Sequence, residues 1–294
     1  MACLALGLCC TLPPARLLEI LSIHSSDSPH IEAFLAEPCF AAMVGDDRVR
    51  RLFEMRSRVK EMGEAYSVLQ QLRALVAECT VAGTCGADGD GLTIIDACSG
   101  RGMGPTLLSY ALPAARVLMI DANANMELSH VAARPNLAFL RADLYAASTV
   151  AAIAAEARSA RACVLTGMHL CGALSPKLID IAVAVEDVDA LVLCPCCLKG
   201  AHGAAVARAA EERGTDAYDT LMETLQAICE REVAGVPGVS LRVVRDEHMI
   251  SPRNCFLLMR RPPRPAGAEA AAVARCEPCE PPESSLALSE KLKS

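Results

Sequence analysis

The sequence predicts an α/β fold: a Rossmann-like, doubly wound sheet of seven strands, mostly parallel with an antiparallel last strand, plus a helical N-terminal cap. Three observations predict it. Seven short apolar runs follow Gly91, most of them separated by helical stretches, which is the rhythm of a parallel sheet covered on both faces. A glycine-rich turn, Gly100, Gly102 and Gly104, follows the first run and precedes a helix. Acids, a histidine and cysteines then gather at the ends of the runs, on the sheet edge where doubly wound folds bind ligands.

The elements follow in order. Pro13, Pro14, Pro29 and Pro38 divide residues 1–43 into short helices. From Asp46 to about Cys79, Leu52, Met55, Val59, Met62, Tyr66, Leu69, Leu72 and Val76 recur every three or four positions, the spacing of one long amphipathic helix. Its polar side carries Arg48, Arg50, Arg51, Arg56, Arg58 and Lys60, either a solvated face or a basic patch for RNA. TCGADGDG (84–91) is a loop by composition. The strands are LTIIDA (92–97), RVLMID (116–121), NLAFLRAD (136–143), CVLTGMHL (163–170), DALVLC (189–194), SLRVVR (240–245) and NCFLLMRR (254–261). The last two are close enough for a hairpin-like return and an antiparallel edge. Between strands five and six, residues 201–214 and 216–235 are helical, with Leu221, Leu225, Ile228 and Val233 facing the core. The expected domains are a helical cap (1–83), a catalytic domain (84–261) and a disordered tail (262–294).

Composition narrows the function. Of 294 residues, 53% are hydrophobic, so the chain is not a largely disordered one. Charges or turn residues interrupt each apolar run short of the roughly 20 residues a spanning helix needs, so no membrane partner is expected. A net charge of −7 repels nucleic acid unless a local basic patch receives it. Sixteen cysteines, several inside apolar strands, predict a reduced, intracellular, cytoplasmic protein. Residues 1–40, with Cys3, Cys9 and Cys10, leave organelle targeting or palmitoylation open.

The glycine turn carries the first chemistry. A buried strand ends at Asp96, and Gly100, Gly102 and Gly104 let backbone approach a ligand closely. Pro105 stands where the dinucleotide fingerprint wants a small residue, and is expected as the first residue of the helix. An acid at the strand end suits a cationic ligand group, which is the pattern of S-adenosylmethionine sites. Asp121 closes the second strand, where a ribose-binding carboxylate belongs, and Asp143 follows the third. Three strand-end acids in order make a nucleoside-type cofactor site; helix capping is the plainer role for Asp121 or Asp143.

The fourth strand ends in Met168-His169-Leu170-Cys171-Gly172 and the fifth in Cys194-Pro195-Cys196-Cys197. DACSGRGMG, HLCG, CPCC and HMISPRNCFLLM (248–259) together resemble a class I S-adenosylmethionine-dependent methyltransferase family. Its members include tRNA ribose 2′-O-methyltransferases with an HLCG motif and a group fused to a glutathione-transferase C-terminal-like domain. The resemblance covers about residues 91–260. It implies S-adenosylmethionine as cofactor, with Asp96, Gly100 and Gly102 at its methionine end, Gly104 completing the turn, Asp121 on the ribose and Asp143 beside adenine. It also implies an RNA or tRNA acceptor, and His169, Cys171, Cys196 and Cys197 facing the transfer space as catalytic residues. The chain departs from many relatives after HLCG, where Ala-Leu-Ser-Pro follows and the first acid is Asp180, and after CPCC, where Leu198-Lys199-Gly200 follows. Both departures bear on the acceptor and leave the cofactor residues intact.

Other readings of the same residues stay open. His169 is suited to accept a proton. Cys196, after Pro195, suits covalent addition to a pyrimidine ring, with Cys171 sharing the work. Cys171, Cys194, Cys197 and His169 have ligand types for zinc and one C-x-x-C spacing, the basis of a non-catalytic zinc- or S-adenosylmethionine-binding module; no metal is assigned in the leading reading.

Overall fold

LTIIDA is buried at all six positions and forms β1 (Leu92–Ala97) in the interior of the sheet. The computed structural model describes residues 14–23, 28–81 and 83–264. Cys3, Cys9 and Cys10, for which targeting or palmitoylation is open, and the tail from residue 265 lie outside the described residues. The remaining strands are β2 (Arg116–Asp121), β3 (Leu137–Arg141), β4 (Ala162–Leu170), β5 (Ala190–Pro195), β6 (Ser240–Arg245) and β7 (Cys255–Arg260). Their order is β3-β2-β1-β4-β5-β7-β6, with β1 to β5 parallel and β7 antiparallel to both its neighbours. The predicted sheet is therefore present. The antiparallel strand is not its edge, however: β7 is inserted between β5 and β6. Burial explains the exchange, since Cys255–Met259 are all buried while β6, with Ser240, Arg242, Val243 and Arg245 exposed, tolerates the rim.

Alternation along each strand divides the core into two layers. Ile94, Val117, Met119, Val164, Val192, Phe256 and Leu258 face one side; Ile95, Leu118, Ile120, Leu165, Leu191, Leu193 and Leu257 face the other. The first side is covered by α5 (Arg58–Val81) and α6 (Met103–Ala111), over which α1 (Pro14–Ser22), α2 (Pro29–Leu35), α3 (Phe40–Gly45) and α4 (Asp47–Arg50) pack in the same hydrophobic cluster. The second side takes α7 (Ala147–Ser159), α8 (Leu174–Ala184), α9 (Gly200–Arg213) and α10 (Ala217–Glu232). Each fully buried Leu, Ile or Phe of these layers contributes roughly 1.5–3 kcal/mol.

The single helix expected from Asp46 to Cys79 is interrupted. Asp46 caps α4 by accepting from the Arg48 N–H, a 3-10 turn follows at Arg51–Glu54, and Met55 is extended (ψ 151°) before α5 begins. The break turns Phe53, which the helical stripe omits, into an edge-to-face cluster with Phe34 and Phe40, at ring separations of 6.1 and 5.7 Å. Nor is α5 amphipathic, because sheet and cap bury Met62 through Leu69 without a gap, Glu64 and Ser67 included. That second covering also ties the cap down by polar contacts: Asp246, in the β6–β7 loop, accepts from Ser67 of α5 and meets His30 Nε2 of α2 at 2.7 Å.

No helix of the described residues is long and apolar enough to cross a membrane.

Candidate active site

Strand order reverses at β1, with β2 on one side and β4 on the other, so the connections leaving β1 and β4 diverge and open a crevice at their carboxyl ends. A cavity of about 300 Å³ lies there, walled by Asp96, the turn from Cys98 to Pro105, Met168 and His169, and, from the α5 side, by Lys60, Glu61 and Glu64.

The turn is shaped by β1 and β2 together. Asp121, at the end of β2, accepts the Gly100 N–H at 2.9 Å and the Asn123 N–H at 2.8 Å, while Ser99 N–H donates to the Ile120 carbonyl at 3.1 Å. Gly102 has φ 85°, and a Cβ on it would lie 2.5 Å from Met119 Cε and 2.8 Å from His130 Nε2. Only glycine fits that close passage over β2. Helix α6 begins at Met103, two residues earlier than Pro105 suggests; Pro105 still falls in the first turn, where a backbone N–H lacks a helical partner.

Asp96 is buried, and its Oδ1 accepts from the Thr166 hydroxyl at 2.7 Å. Burial pushes its carboxyl up to about 7 against that hydrogen bond, and the charge of Asp121 pushes the same way. A buried acid poised in this way is completed by a cation placed beside it.

His169 owes its position to a backbone irregularity. Met168 pairs with Cys194 and Leu170 with Pro195, leaving His169 as the extra residue of a bulge, with φ 58°. The bulge aims its ring across the cavity, where Nε2 meets the Glu64 carboxylate and stands 3.2 Å from Lys60 Nζ. Nδ1 is buried without a hydrogen-bond partner. Glu64 is missed by sequence reasoning, although one signal was present: a carboxylate among Met62, Ala65, Tyr66 and Val68 has to be buried and therefore partnered. Lys60 and Glu64 also pair with each other.

Of the ten residues singled out in the sequence, the cavity wall brings together Asp96, Gly100, Gly102, Gly104 and His169. Asp121 acts on the wall from behind, through Gly100. Asp143 is exposed and accepts the Tyr145 N–H at 3.0 Å; it does not cap α7, whose N-cap is Ala146, so the plainer expectation of helix capping is replaced by a local turn. Cys171, Cys196 and Cys197 are not on the wall. Their sulfurs converge within 4.8 Å of one another beside it, and the Cys171 and Cys196 thiols donate to the His169 carbonyl at 3.5 and 3.3 Å. Cys194 does not join them: it is buried in β5 and its thiol donates to the Arg253 carbonyl at 3.4 Å, so the expected C-x-x-C pair is replaced by Cys171 with Cys196 and Cys197.

Burial and the neighbouring Cys171 raise the Cys196 thiol, the reverse of what a covalent nucleophile needs. At Cys197 burial acts the same way but is outweighed by thiol hydrogen bonds from Cys171 and Cys196 and by the Lys199 N–H, which lower it. The basic stripe is also largely engaged. Arg48 binds Asp46, Arg50 pairs with Asp47, and Arg58 donates to the Met55 carbonyl, leaving Arg51 and Arg56 exposed.

Comparison with known proteins adds the following. The chain is 13% identical to an O-methyltransferase family protein from Burkholderia thailandensis, over 84% of this chain and 71% of that one, with a TM-score of 0.38. The methyltransferase domain of bacterial CtHen1 is 10% identical over 66% and 98%, with a TM-score of 0.41. The plantazolicin methyltransferase BpumL, solved with SAH, is 8% identical over 85% and 99%, with a TM-score of 0.40. No curated protein sequence matches the chain. Residues 60–202 match the model of a family described as a methyltransferase domain, a stretch that begins at Lys60 and holds the whole cavity wall named above.

Proposed function

We propose that the chain is an S-adenosylmethionine-dependent methyltransferase whose cofactor occupies the cavity above the glycine turn. The observation that carries this reading is the buried, incompletely compensated Asp96 at the mouth of β1, with a glycine turn over it and open space at Gly104. These residues fit the group: the acid suits the amino end of a methionine moiety, and Gly100 and Gly104 leave open the room a side chain would take. In this reading Asp121, half-exposed, is the acid for a ribose hydroxyl, and Asp143, exposed, is the acid for the adenine side. When bound, the cofactor supplies an electrophilic methyl group.

The chain's own residues do the rest. Asp96 anchors, the glycine turn shapes, and α5 closes the far wall against water. Glu64 fixes the His169 ring, and the acceptor's proton passes to this pair as its oxygen or nitrogen nucleophile is aligned. Because Glu64 accepts from Nε2, that nitrogen carries the N–H, and Nδ1, which has no hydrogen-bond partner, is the nitrogen with a lone pair to take the proton. Cys171 and Cys196 act from behind His169, through its carbonyl, on the strand ends that border the transfer space, with Cys197 beside them.

For the acceptor we propose RNA. Arg101 is an exposed cation on the cavity wall, Lys60 is exposed there while paired with Glu64, and Arg51 and Arg56 are further exposed cations of an otherwise acidic molecule. The experiment is incubation with methyl-labelled S-adenosylmethionine and separated RNA and protein fractions. Label in RNA supports the whole reading; label in protein alone keeps the methyltransferase and removes the RNA acceptor; label in neither removes both.

A further inference from the structure

We propose that Cys171, Cys196 and Cys197 form a three-thiolate site for a thiophilic divalent cation, with Zn²⁺ as its occupant and a fourth position left to water or an exogenous ligand. This inference is independent of methyl transfer.

Three sulfurs from two different strand ends lie within 4.8 Å of one another, and those of Cys171 and Cys196 are 3.1 Å apart. Tetrahedral zinc with Zn–S bonds of about 2.3 Å holds its sulfurs about 3.8 Å apart, so the thiols need move only by fractions of an ångström to close on an ion. The backbone is already arranged for it. Gly172, at φ 57°, packs so tightly that a Cβ would meet the Lys199 carbonyl at 2.6 Å, and its N–H points to the Cys197 carbonyl at 3.4 Å. The turn after β4 is thereby fastened to the turn after β5. All three thiols are half-buried, neither sealed in the core like Cys194 nor fully exposed, so an ion can enter.

Among the described residues no fourth Cys, His, Asp or Glu joins the group. His169 does not: its Nδ1 has no hydrogen-bond partner, but neither ring nitrogen falls within the 4.8 Å span of the three sulfurs. Three protein ligands with an open position is the arrangement in which zinc binds an outside ligand, whereas purely structural sites are closed by a fourth side chain. Binding exchanges three S–H bonds for three S–Zn bonds, releases the three protons to solvent and transfers no electrons. Lys199, next to the cluster in sequence, offsets part of the resulting negative charge.

The test is titration of the full-length, reduced protein with Co²⁺, followed by Zn²⁺. About one equivalent of Co²⁺ should bind with thiolate-to-cobalt charge-transfer absorption, and Zn²⁺ should displace it. Cys196→Ser should weaken binding at least tenfold, whereas Cys194→Ser should leave it unchanged. A second measurement needs no variant: Zn²⁺ should protect Cys171, Cys196 and Cys197 of the unaltered protein from alkylation while Cys39 and Cys79 react as before. No charge-transfer band, no protection, full binding by Cys196→Ser, or a Cys171–Cys196 disulfide in protein that binds no metal after reduction would each overturn the proposal.

Discussion

Glu64 of α5 and His169 of β4 meet across the cavity although 105 residues separate them in the chain. Their contact depends on two local departures from regular structure: a bulge that turns His169 out of the ladder, and a helix buried on both sides that presents a carboxylate to it. If this pair receives the acceptor's proton, His169→Ala should lower kcat by about 10²-fold or more while leaving the affinity for S-adenosylmethionine within a few-fold. Glu64→Gln, which keeps the shape and removes the charge, should lower kcat less than His169→Ala. Steady-state kinetics beside equilibrium binding separate the two effects.

The glycines of the turn should not respond alike. Gly102→Ala sets a methyl against Met119 and His130 at a backbone angle hostile to side chains, and should destabilise the fold by about 1–3 kcal/mol. Gly104→Ala meets nothing within 4 Å and lies in α6, where alanine is the better helix former by about 0.5–1 kcal/mol. It should leave or raise stability and weaken cofactor binding, because its methyl enters the cavity wall. Thermal melts with and without cofactor distinguish them.

Asp96 gives the site a pH dependence of known sign. Its carboxyl is raised by burial to about 7 in the folded chain, so folding binds a proton there between about pH 4 and 7, and stability from this group falls as pH rises through that window. Asp96→Asn, which still accepts from Thr166, should therefore be more stable than the native chain at pH 8, by on the order of 4 kcal/mol, and equal to it near pH 4. Cofactor binding should run the other way in the native chain. A cationic group needs the ionised acid, so affinity should be about tenfold lower at pH 6 than at pH 8.

Asp246 behaves oppositely. Burial favours its neutral form, yet hydrogen bonds from His30, Ser67 and the His248 N–H hold it at about 2. Its contribution is present above about pH 4 and is lost as pH falls toward 2. Asp246→Asn should cost about 2 kcal/mol at pH 7 and little at pH 2, read by denaturant unfolding. The cost reports how firmly the helical cap is fastened to the β6–β7 loop.

The strands were legible in the sequence almost residue for residue, because strands buried on both faces leave unbroken runs such as LTIIDA and RVLMID. The glycine turn and Asp96 were legible for the same reason: both sit at the end of such a run. The path of the chain before α5 was not, since the periodic stripe through Leu52 and Met55 gives no weight to Phe53, and it is the aromatic cluster around Phe53 that decides where the helix stops. The sulfur cluster was legible in composition but not in membership, because pairing Cys194 with Cys197 by spacing ignores that β5 keeps Cys194 inside the sheet. Glu64 was hidden by a helix taken as amphipathic; only the covering cap makes its side of α5 an interior.

The central claim is that the cavity over Asp96 and the glycine turn holds S-adenosylmethionine. Equilibrium binding of the cofactor at pH 8 to the native chain and to Asp96→Ala tests it most directly. The account predicts one site in the native chain and at least a tenfold loss in the variant, with the fold intact by circular dichroism. Absence of binding to the folded native chain, or equal binding by the variant, would contradict it.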